Sequence, residues 1–155
     1  MNPNKKLIIL DLYKTIWGSN LPLRNGLYEF LNRDPKKIFT ICTDDPDKNE
    51  VNKLLTELNI QNNFDSIYTY EDMIKLETHM FPNGKDLTQI CEDYQISKKE
   101  TIFIGDSDRD RTDAQREGIS FIHVPEYTKQ SEQFSFDLIN INNITQRYRD
   151  LRDIK

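Results

Sequence analysis

Two groups of acidic residues carry the strongest chemical signal in this chain of 155 residues. Asp11 directly follows the apolar run 7–10, and Asp106 directly follows a second apolar stretch, 101–105, with Asp110 four residues later. Such runs predict buried strands, and open α/β sheets bind ligands at the carboxyl ends of their strands. If the two strands are parallel neighbours, their acids meet in one pocket. Carboxylates crowded in this way need a bound cation, or else some of them stay protonated.

The elements that must position these acids alternate between strands and helices. Short apolar runs predict strands, and apolar residues at helical spacing predict helices. We predict strands at 6–11, 37–42, 67–69, 101–105 and 119–124, and helices or helical turns at 26–32, 47–58, 71–76, 85–94 and 110–117. The alternation predicts a parallel sheet with helices on both of its faces.

The segment after residue 124 has a weaker pattern. We predict a short sixth strand or an extended segment at 135–140, and a terminal helix at 144–154 that is rich in Arg and Asp. A chain of this length is expected to form one domain. Its motif-bearing core would span about 6–124, with a C-terminal extension at about 125–155.

Composition and charge exclude several classes of protein. Charged residues make up 30% of the chain, and the formal net charge is -5. The acidic balance argues against a nonspecific nucleic-acid binder, because nucleic-acid backbones attract Lys and Arg. No apolar stretch approaches the length of a membrane span, and no signal-peptide pattern precedes the first strand. Two cysteines, Cys42 and Cys91, are too few for a disulfide framework, so we expect buried free thiols and a cytoplasmic protein.

The order of the motifs resembles that of the haloacid dehalogenase superfamily, whose members are mostly phosphohydrolases. The family's first motif is a strand followed by Asp-x-Asp-x-Thr, and here Asp11, Tyr13 and Thr15 occupy those places. Its second motif is a strand ending in Thr or Ser, which Thr43 matches. Its fourth motif is Gly-Asp-x-x-x-Asp followed by Ala and Gly, matched by Gly105, Asp106, Asp110, Ala114 and Gly118.

The resemblance implies a fold and a mechanism. The fold is a Rossmann-like three-layer α/β/α sandwich with a mainly parallel central sheet, and the spans between motifs leave no room for a cap domain. Asp11 would attack phosphorus and form an aspartyl-phosphate. Mg²⁺ would reduce the repulsion between this carboxylate and the phosphate. Its ligands would be Asp11, Asp106, the backbone carbonyl of Tyr13 and Asp110, the last either directly or through water. Thr43 would donate a hydrogen bond to a phosphate oxygen.

The family's third motif, a lysine near the start of a helix and often before Pro, has no direct match. The corresponding pair is Phe81-Pro82, and Lys85 lies four residues after Phe81, in the first turn of the predicted helix. A displacement of one helical turn would bring Lys85 to the site. Lys75 is a second candidate, and a role as an ordinary surface residue is the alternative for Lys85.

Tyr13 is the second departure from the family pattern. The Asp that it replaces is the general acid/base of the phosphatases, and loss of such a group costs about 10²–10⁴ in rate. A tyrosine with a pKa of about 10 can donate a hydrogen bond but is a poor general base at neutral pH.

Three functions are compatible with these matches and departures. The first is a Mg²⁺-dependent phosphatase that acts through an aspartyl-phosphate on an unidentified phosphoester. The second is a catalytically impaired relative that serves as a binding or interaction module. The third is a metal-independent 2-haloacid dehalogenase, because those enzymes share the Asp-x-Tyr-x-Thr pattern; the pair Gly105-Asp106 and the lack of room for a helical cap argue against it.

An open site without a cap also predicts the kind of partner. It fits a large phosphorylated substrate, such as a phosphoprotein or a nucleic-acid end, or else a neighbouring subunit of a homo-oligomer covers it. No membrane partner is expected. Nucleic acid is expected only as a substrate whose phosphorylated end enters the site.

Several acidic and polar residues have a structural interpretation as well. An isolated Asp at a strand end is often a turn or helix-cap residue, and the metal site is predicted from the combination alone. We expect Asp108 and Asp113 to be solvated surface charges, Thr15 to support the Asp11 loop, and His123 to be structural.

Overall fold

The computed structural model describes residues 5–73, 84–128, 134–141 and 147–153. Within these ranges six strands form one sheet: β1 (Leu7–Leu10), β2 (Ile38–Cys42), β3 (Ser66–Tyr68), β4 (Thr101–Gly105), β5 (Ser120–His123) and β6 (Tyr148–Asp150). Their order across the sheet is β3-β2-β1-β4-β5-β6, and every neighbouring pair is parallel. The described α-helices are α1 (Leu27–Asn32), α2 (Lys48–Glu57), α3 (Tyr70–Met73), α4 (Leu87–Tyr94) and α5 (Asp108–Glu117).

Helices cover both faces of the sheet, which confirms the predicted three-layer sandwich. The central strand β1 shows why: all four of its residues are fully buried, as expected for a parallel strand packed on both sides. Ile8 and Leu10 pack in one core with residues of α1 and α2. Leu7 and Ile9 point the other way and pack in a second core with residues of α4 and α5. Within the described residues up to 124, each predicted strand and helix occurs, and the boundaries that can be compared differ by two residues at most.

The register of the three central strands places their carboxyl ends at one level. Leu10 at the end of β1 lies opposite Ile41 of β2 and Ile104 of β4. The residues that follow these strands therefore project from the same edge of the sheet, and this edge holds the candidate site.

Side-chain caps determine where the helices around this edge begin. Asp86 caps α4 by accepting a hydrogen bond from the backbone N–H of Gln89, so α4 begins at Leu87 rather than at residue 85. Ser107 caps α5 in the same way through the N–H of Asp110, so α5 begins two residues earlier than predicted. The second half of the predicted turn at 71–76 lies outside the described residues.

The predicted terminal helix at 144–154 is wrong for the part of that segment that the structure describes. Tyr148–Asp150 form β6, which pairs with β5 so that Tyr148 lies opposite Phe121. The rings of these two residues stack with centroids 6.3 Å apart. Without β6, the backbone of β5 would form an open edge of the sheet, so the pairing satisfies donors and acceptors that a helix would leave exposed. The local abundance of Arg and Asp does not reveal this tertiary pairing.

The predicted strand or extended segment at 135–140 is also different. It contains a 3₁₀ helix at Phe136–Leu138, which Ser135 caps through the N–H of Asp137. Phe136 is fully buried, and its ring packs against Phe30 of α1. The buried ring of Phe136 thus holds this turn on the face of the sheet that α1 covers.

The sequence predicts neither a cap domain nor a membrane span, and the structure tests both predictions in its described residues. The described segments between the strands hold the sandwich's own helices, with no cap domain among them. No helix in the described part of the chain has both the length and the apolar character needed to cross a bilayer. Cys42 and Cys91 are buried and free, as expected.

Candidate active site

The acids that follow β1 and β4 meet at the predicted edge of the sheet. The backbone N–H of Asp11 donates to the carbonyl of Ile104 at 3.0 Å, which extends the ladder between the two strands. Asp11, Asp106 and Asp110 each offer one carboxylate oxygen, and these oxygens all lie within 4.8 Å of one another. Asp11 and Asp110 are buried, and Asp106 is half-buried. The structure therefore brings together the three carboxylates that the sequence singled out as metal ligands.

Gly105 makes this close approach possible. A Cβ atom at this position would lie 2.5 Å from Oδ2 of Asp110 and 2.9 Å from its Cβ. No side chain other than that of glycine fits here while Asp110 stays in place. The close packing of Asp110 against Gly105 therefore explains why the motif has glycine at this position.

Thr15 links two of the acids. Its hydroxyl lies 2.9 Å from Oδ2 of Asp11 and 2.9 Å from Oδ1 of Asp106. A hydroxyl carries a single hydrogen, so it donates to one carboxylate at a time. Thr15 is fully buried, in line with the expected supporting role in the Asp11 loop.

Arg24 lies beneath the same loop and was missed at the sequence level. It is 2% exposed, and its guanidinium donates to the carbonyls of Thr15 and Pro125. It also stacks over the rings of Tyr127 and Phe134, 5.0 and 4.5 Å from their centroids. Burial lowers the pKa of Arg24 to about 10, so it stays charged at neutral pH. An isolated arginine carries no sequence signal for such a role.

Lys85, which directly precedes the cap residue of α4, reaches the acids from outside that helix. Its Nζ lies 2.6 Å from Oδ1 of Asp11 and 2.7 Å from Oδ1 of Asp110, and the side chain is 2% exposed. Burial by itself would lower the pKa of Lys85, but the charges of Asp11 and Asp110 outweigh it and raise the pKa well above its ordinary value. Lys85 is therefore a fixed positive charge beside the predicted nucleophile and no surface residue. Lys75 and the pair Phe81-Pro82 lie outside the described residues.

Asp113 holds the backbone of Lys85, and the expectation that it is a solvated surface charge is wrong. It is 3% exposed; its Oδ2 accepts the backbone N–H of Lys85 and its Oδ1 accepts a hydrogen bond from Arg116. Arg116 also donates to the carbonyl of Lys85 at 3.1 Å. The available signal was spacing: Asp113 follows Asp110 by three residues and so lies on the same face of α5.

Asp108 is solvated as expected, with its side chain 80% exposed.

The acids perturb one another's protonation. Burial, then the hydrogen bond and charge of Asp11, raise the pKa of Asp106 to about 7. Burial also raises the pKa of Asp110 to about 7; Lys85 opposes this shift and the charge of Asp11 adds to it. Crowded carboxylates of this kind favour a further cation, and a set of oxygen ligands fits Mg²⁺. The residues present therefore fit the metal that the family implies.

Thr43 follows β2 at the same edge. It is 1% exposed, its N–H donates to the carbonyl of Tyr68, and its Oγ1 accepts the N–H of Asp45 at 3.2 Å. Because Leu10 and Ile41 are in register, Thr43 lies one position beyond the level of Asp11 on the neighbouring strand.

Tyr13 stands at the rim of the site. Its side chain is 38% exposed, its ring packs edge-on against Trp17, and its hydroxyl donates to Oδ2 of Asp45 at 2.6 Å. Burial, then the hydrogen bond and charge of Asp45, raise the pKa of Tyr13 to about 12. The phenol is thus neutral near pH 7 and cannot by itself act as a base. Asp45 was not singled out from the sequence, where nothing connects it with Tyr13.

A cavity of about 390 Å³ is lined by Asp44, Pro46, Tyr70 and Arg109, two of which adjoin predicted site residues in the sequence. Asp44 directly follows Thr43, and Arg109 directly precedes Asp110. The cavity is of the size that small organic ligands occupy. Its walls combine a ring, a cation and a carboxylate beside the predicted phosphate position.

Comparisons with known proteins agree with this geometry. The profile of the family described as haloacid dehalogenase-like hydrolase matches residues 4–124. A search of curated proteins finds no match.

Solved structures resemble the chain over most of its length. A haloacid dehalogenase-like hydrolase of Streptococcus pneumoniae has a TM-score of 0.65 at 14% identity, over 96% of this chain and 94% of its own. An uncharacterized protein of Listeria monocytogenes serotype 4b has a TM-score of 0.63 at 18% identity, over 94% of this chain and 90% of its own.

A third similar structure holds ligands. It is the 3-deoxy-D-manno-octulosonate 8-phosphate phosphatase of Moraxella catarrhalis, solved with magnesium, phosphate and the sugar acid; its TM-score is 0.51 at 21% identity, over 85% of this chain and 74% of its own. At these identities the likeness shows the fold alone, whereas the family profile matches most of the chain. The chain belongs to the haloacid dehalogenase-like hydrolases.

Proposed function

We propose that this protein is a Mg²⁺-dependent phosphatase that hydrolyses a phosphoester through an aspartyl-phosphate on Asp11. One observation carries the proposal. The carboxylate of Asp11 lies at the end of a central strand, 2.6 Å from a fully buried Lys85 and beside two further carboxylates that suit a divalent cation. A nucleophile, a counter-charge and a set of metal ligands thus meet at one point.

The residues around Asp11 hold it for attack. Lys85 binds its Oδ1 and Thr15 lies against its Oδ2, so the orientation of the carboxylate is set before the substrate arrives. Asp11, Asp106, Asp110 and the backbone carbonyl of Tyr13 would hold Mg²⁺. When bound, the ion offsets the repulsion between a carboxylate and a phosphate dianion.

The reaction then has two steps. In the first, an oxygen of Asp11 bonds to phosphorus as the bond between phosphorus and the leaving-group oxygen breaks. That oxygen keeps the electron pair and takes a proton from water, while Thr43 donates a hydrogen bond to a phosphate oxygen. In the second, water attacks the phosphorus of the aspartyl-phosphate and frees the carboxylate and phosphate. Lys85 balances the charge of Asp11 whenever the carboxylate is free.

The surroundings of the site support a broad class of partner. Tyr13 and Asp44 at the rim are exposed, which supports access by a large phosphorylated substrate, and the adjoining cavity has room for a small leaving group. The two buried free thiols support a reducing compartment such as the cytoplasm. The chain would act as one domain of residues 1–155.

The test is phosphate release from a broad panel of phosphoesters, with Mg²⁺ and with a chelator, for the native chain and for Asp11→Asn. We expect Mg²⁺-dependent release by the native chain and a loss of at least about 10³-fold in the variant, because an asparagine amide is a far weaker nucleophile than the carboxylate. Release that persists in Asp11→Asn contradicts the proposal. Release of halide from haloacids without metal would favour a dehalogenase instead.

A second candidate function has support from Tyr13. The family's general acid/base is replaced, and the hydroxyl of Tyr13 is engaged by Asp45, which supports an impaired relative that binds metal or a phosphorylated ligand. Mg²⁺ binding by the native chain without phosphate release from any ester would favour this candidate.

A further inference from the structure

The proposed mechanism lacks one component, a proton acceptor for the attacking water. Residue 13 occupies the position from which the family's phosphatases supply that group, and here it is a tyrosine. A neutral phenol cannot remove a proton from water without passing its own proton to another group. The question is which group lies within reach of the Tyr13 hydroxyl.

The structure places a carboxylate directly against it. The Tyr13 hydroxyl donates to Oδ2 of Asp45 at 2.6 Å, although the two residues are 32 positions apart in the chain. Asp45 is held in this orientation from two sides: its Oδ1 accepts the N–H of Asp47 at 2.7 Å, and its own N–H donates to Oγ1 of Thr43 at 3.2 Å. The carboxylate therefore faces Tyr13 because the loop after β2 fixes it there.

Tyr13 and Asp45 lie at the rim of the site, where they are accessible to water. Tyr13 is 38% exposed and Asp45 is half-buried, so water reaches the hydroxyl and a proton can leave the carboxylate for solvent. A phenol is also longer than the side chain of aspartate. Its hydroxyl therefore lies farther from the backbone of residue 13, and here it contacts Asp45.

We propose that Asp45 accepts the proton of the attacking water through the hydroxyl of Tyr13 during hydrolysis of the aspartyl-phosphate. This inference rests on the proposed function, since it concerns the second step of that reaction. Its basis is the hydrogen bond, the fixed orientation of Asp45 and the place of Tyr13 in the first motif.

The water oxygen bonds to phosphorus, and the bond between phosphorus and the Asp11 oxygen breaks, with its electron pair returning to the carboxylate. One proton of the water passes to the oxygen of Tyr13 as the hydroxyl proton of Tyr13 passes to Oδ2 of Asp45. The products are phosphate, free Asp11, neutral Tyr13 and protonated Asp45, which then releases its proton to solvent. Tyr13 is neutral before and after the transfer.

The experiment separates the two steps by rapid mixing of p-nitrophenyl phosphate with the Mg²⁺-loaded chain. The nitrophenolate leaves without needing a proton, so its burst reports formation of the aspartyl-phosphate, and the later release of phosphate reports hydrolysis. The variants are Asp45→Asn, Asp45→Ala and Tyr13→Phe. An asparagine keeps the size of Asp45 and a hydrogen bond to the Tyr13 hydroxyl, but it cannot take up a proton.

We expect all three variants to keep the burst and to slow hydrolysis by about 10²-fold or more, the range for loss of a general base. Glu50→Gln is the matched control, because Glu50 is exposed, acts on Tyr13 through its charge alone and should leave both steps unchanged. Thermal unfolding of each variant checks that it is folded. Tyr13→Asp supplies the family's own residue, so in that background Asp45→Asn should have no further effect on hydrolysis.

Two results would overturn the inference by itself. One is hydrolysis at the native rate in Asp45→Asn; if Asp45→Ala is then slow, Asp45 only holds Tyr13 in place. The other is a further slowing by Asp45→Asn in the Tyr13→Asp background equal to that in the native one. Absence of any nitrophenolate release by the native Mg²⁺-loaded chain has a different meaning, because it overturns the proposed function and this inference together.

Discussion

Lys85 lies buried between the carboxylates of Asp11 and Asp110, and its charge offsets theirs in a place that water hardly reaches. A buried pair of this kind adds little net stability compared with apolar residues, but removal of one partner leaves a buried charge without compensation. Asp113 and Arg116 hold the backbone of Lys85, so the lysine is positioned from both ends of its side chain.

At the residue scale we predict that Lys85→Met lowers the free energy of unfolding by about 3 kcal/mol or more in metal-free buffer at neutral pH. Urea unfolding followed by circular dichroism measures the change. The matched control is Lys48→Met, which removes an ion pair with Asp72 whose lysine side chain is 46% exposed and should cost about 1 kcal/mol at most. Equal losses in the two variants would show that the chain does not depend on Lys85 to compensate the buried charges of Asp11 and Asp110.

At the scale of elements, the ends of β1 and β4 and the first turn of α5 form one unit. Gly105 ends β4, Ser107 caps α5, and Asp110 turns back over Gly105. The acid cluster is therefore a consequence of how tightly a strand and the following helix are joined. The same edge of the sheet carries the loop after β2, where Thr43 and Asp45 lie.

We predict that Gly105→Ala displaces Asp110, destabilises the chain by about 1–3 kcal/mol and weakens Mg²⁺ binding at least about tenfold, measured by calorimetric titration. Gly118→Ala is the control, since Gly118 has a φ of 71° and a Cβ there would meet nothing closer than 3.9 Å. Its alanine variant should lose about 1 kcal/mol from backbone strain and bind Mg²⁺ normally. Unchanged Mg²⁺ affinity in Gly105→Ala would argue against Asp110 as a ligand.

At the scale of the whole molecule, the acid cluster links stability to pH and to metal. Asp106 and Asp110 have pKa values raised to about 7, against 3.8 for an ordinary Asp. The folded chain thus binds these protons more tightly than the unfolded chain, and stability from this source is lost as pH rises from about 4 to about 7. If Mg²⁺ binds as proposed, it would take over the charge of the protons and stabilise the folded chain by mass action.

We predict that the metal-free native chain loses stability relative to Asp106→Asn as pH rises from 5 to 8, measured by thermal unfolding with chelator. Mg²⁺ should raise the unfolding midpoint of the native chain most at pH 8, and raise that of Asp106→Asn much less. Comparison with the variant removes contributions from acids elsewhere. A difference between native and variant that does not change with pH, or an equal effect of Mg²⁺ on both, would contradict this linkage.

Much of the fold could be predicted from the sequence because burial leaves a local pattern. Apolar strands such as 101–105 and amphipathic helices such as 47–58 record which face of each element meets the core, and alternation of the two predicts a parallel sheet. The acids at the strand ends then had to converge at one edge. The failure at β6 has the same cause, since an edge strand of mixed, half-exposed residues has no such pattern.

Local sequence patterns and the positions of strand ends are enough to predict the family, the parallel three-layer fold and the meeting of Asp11 with Asp106 and Asp110. Three contacts appear only in the folded chain: Lys85 reaches Asp11, the buried Asp113 holds the backbone of Lys85, and Asp45 faces Tyr13. Each of these contacts joins residues from separate elements. Register and packing determine which side chains come within hydrogen-bond distance there, and these are properties of the assembled sheet and helices that no short stretch of sequence contains.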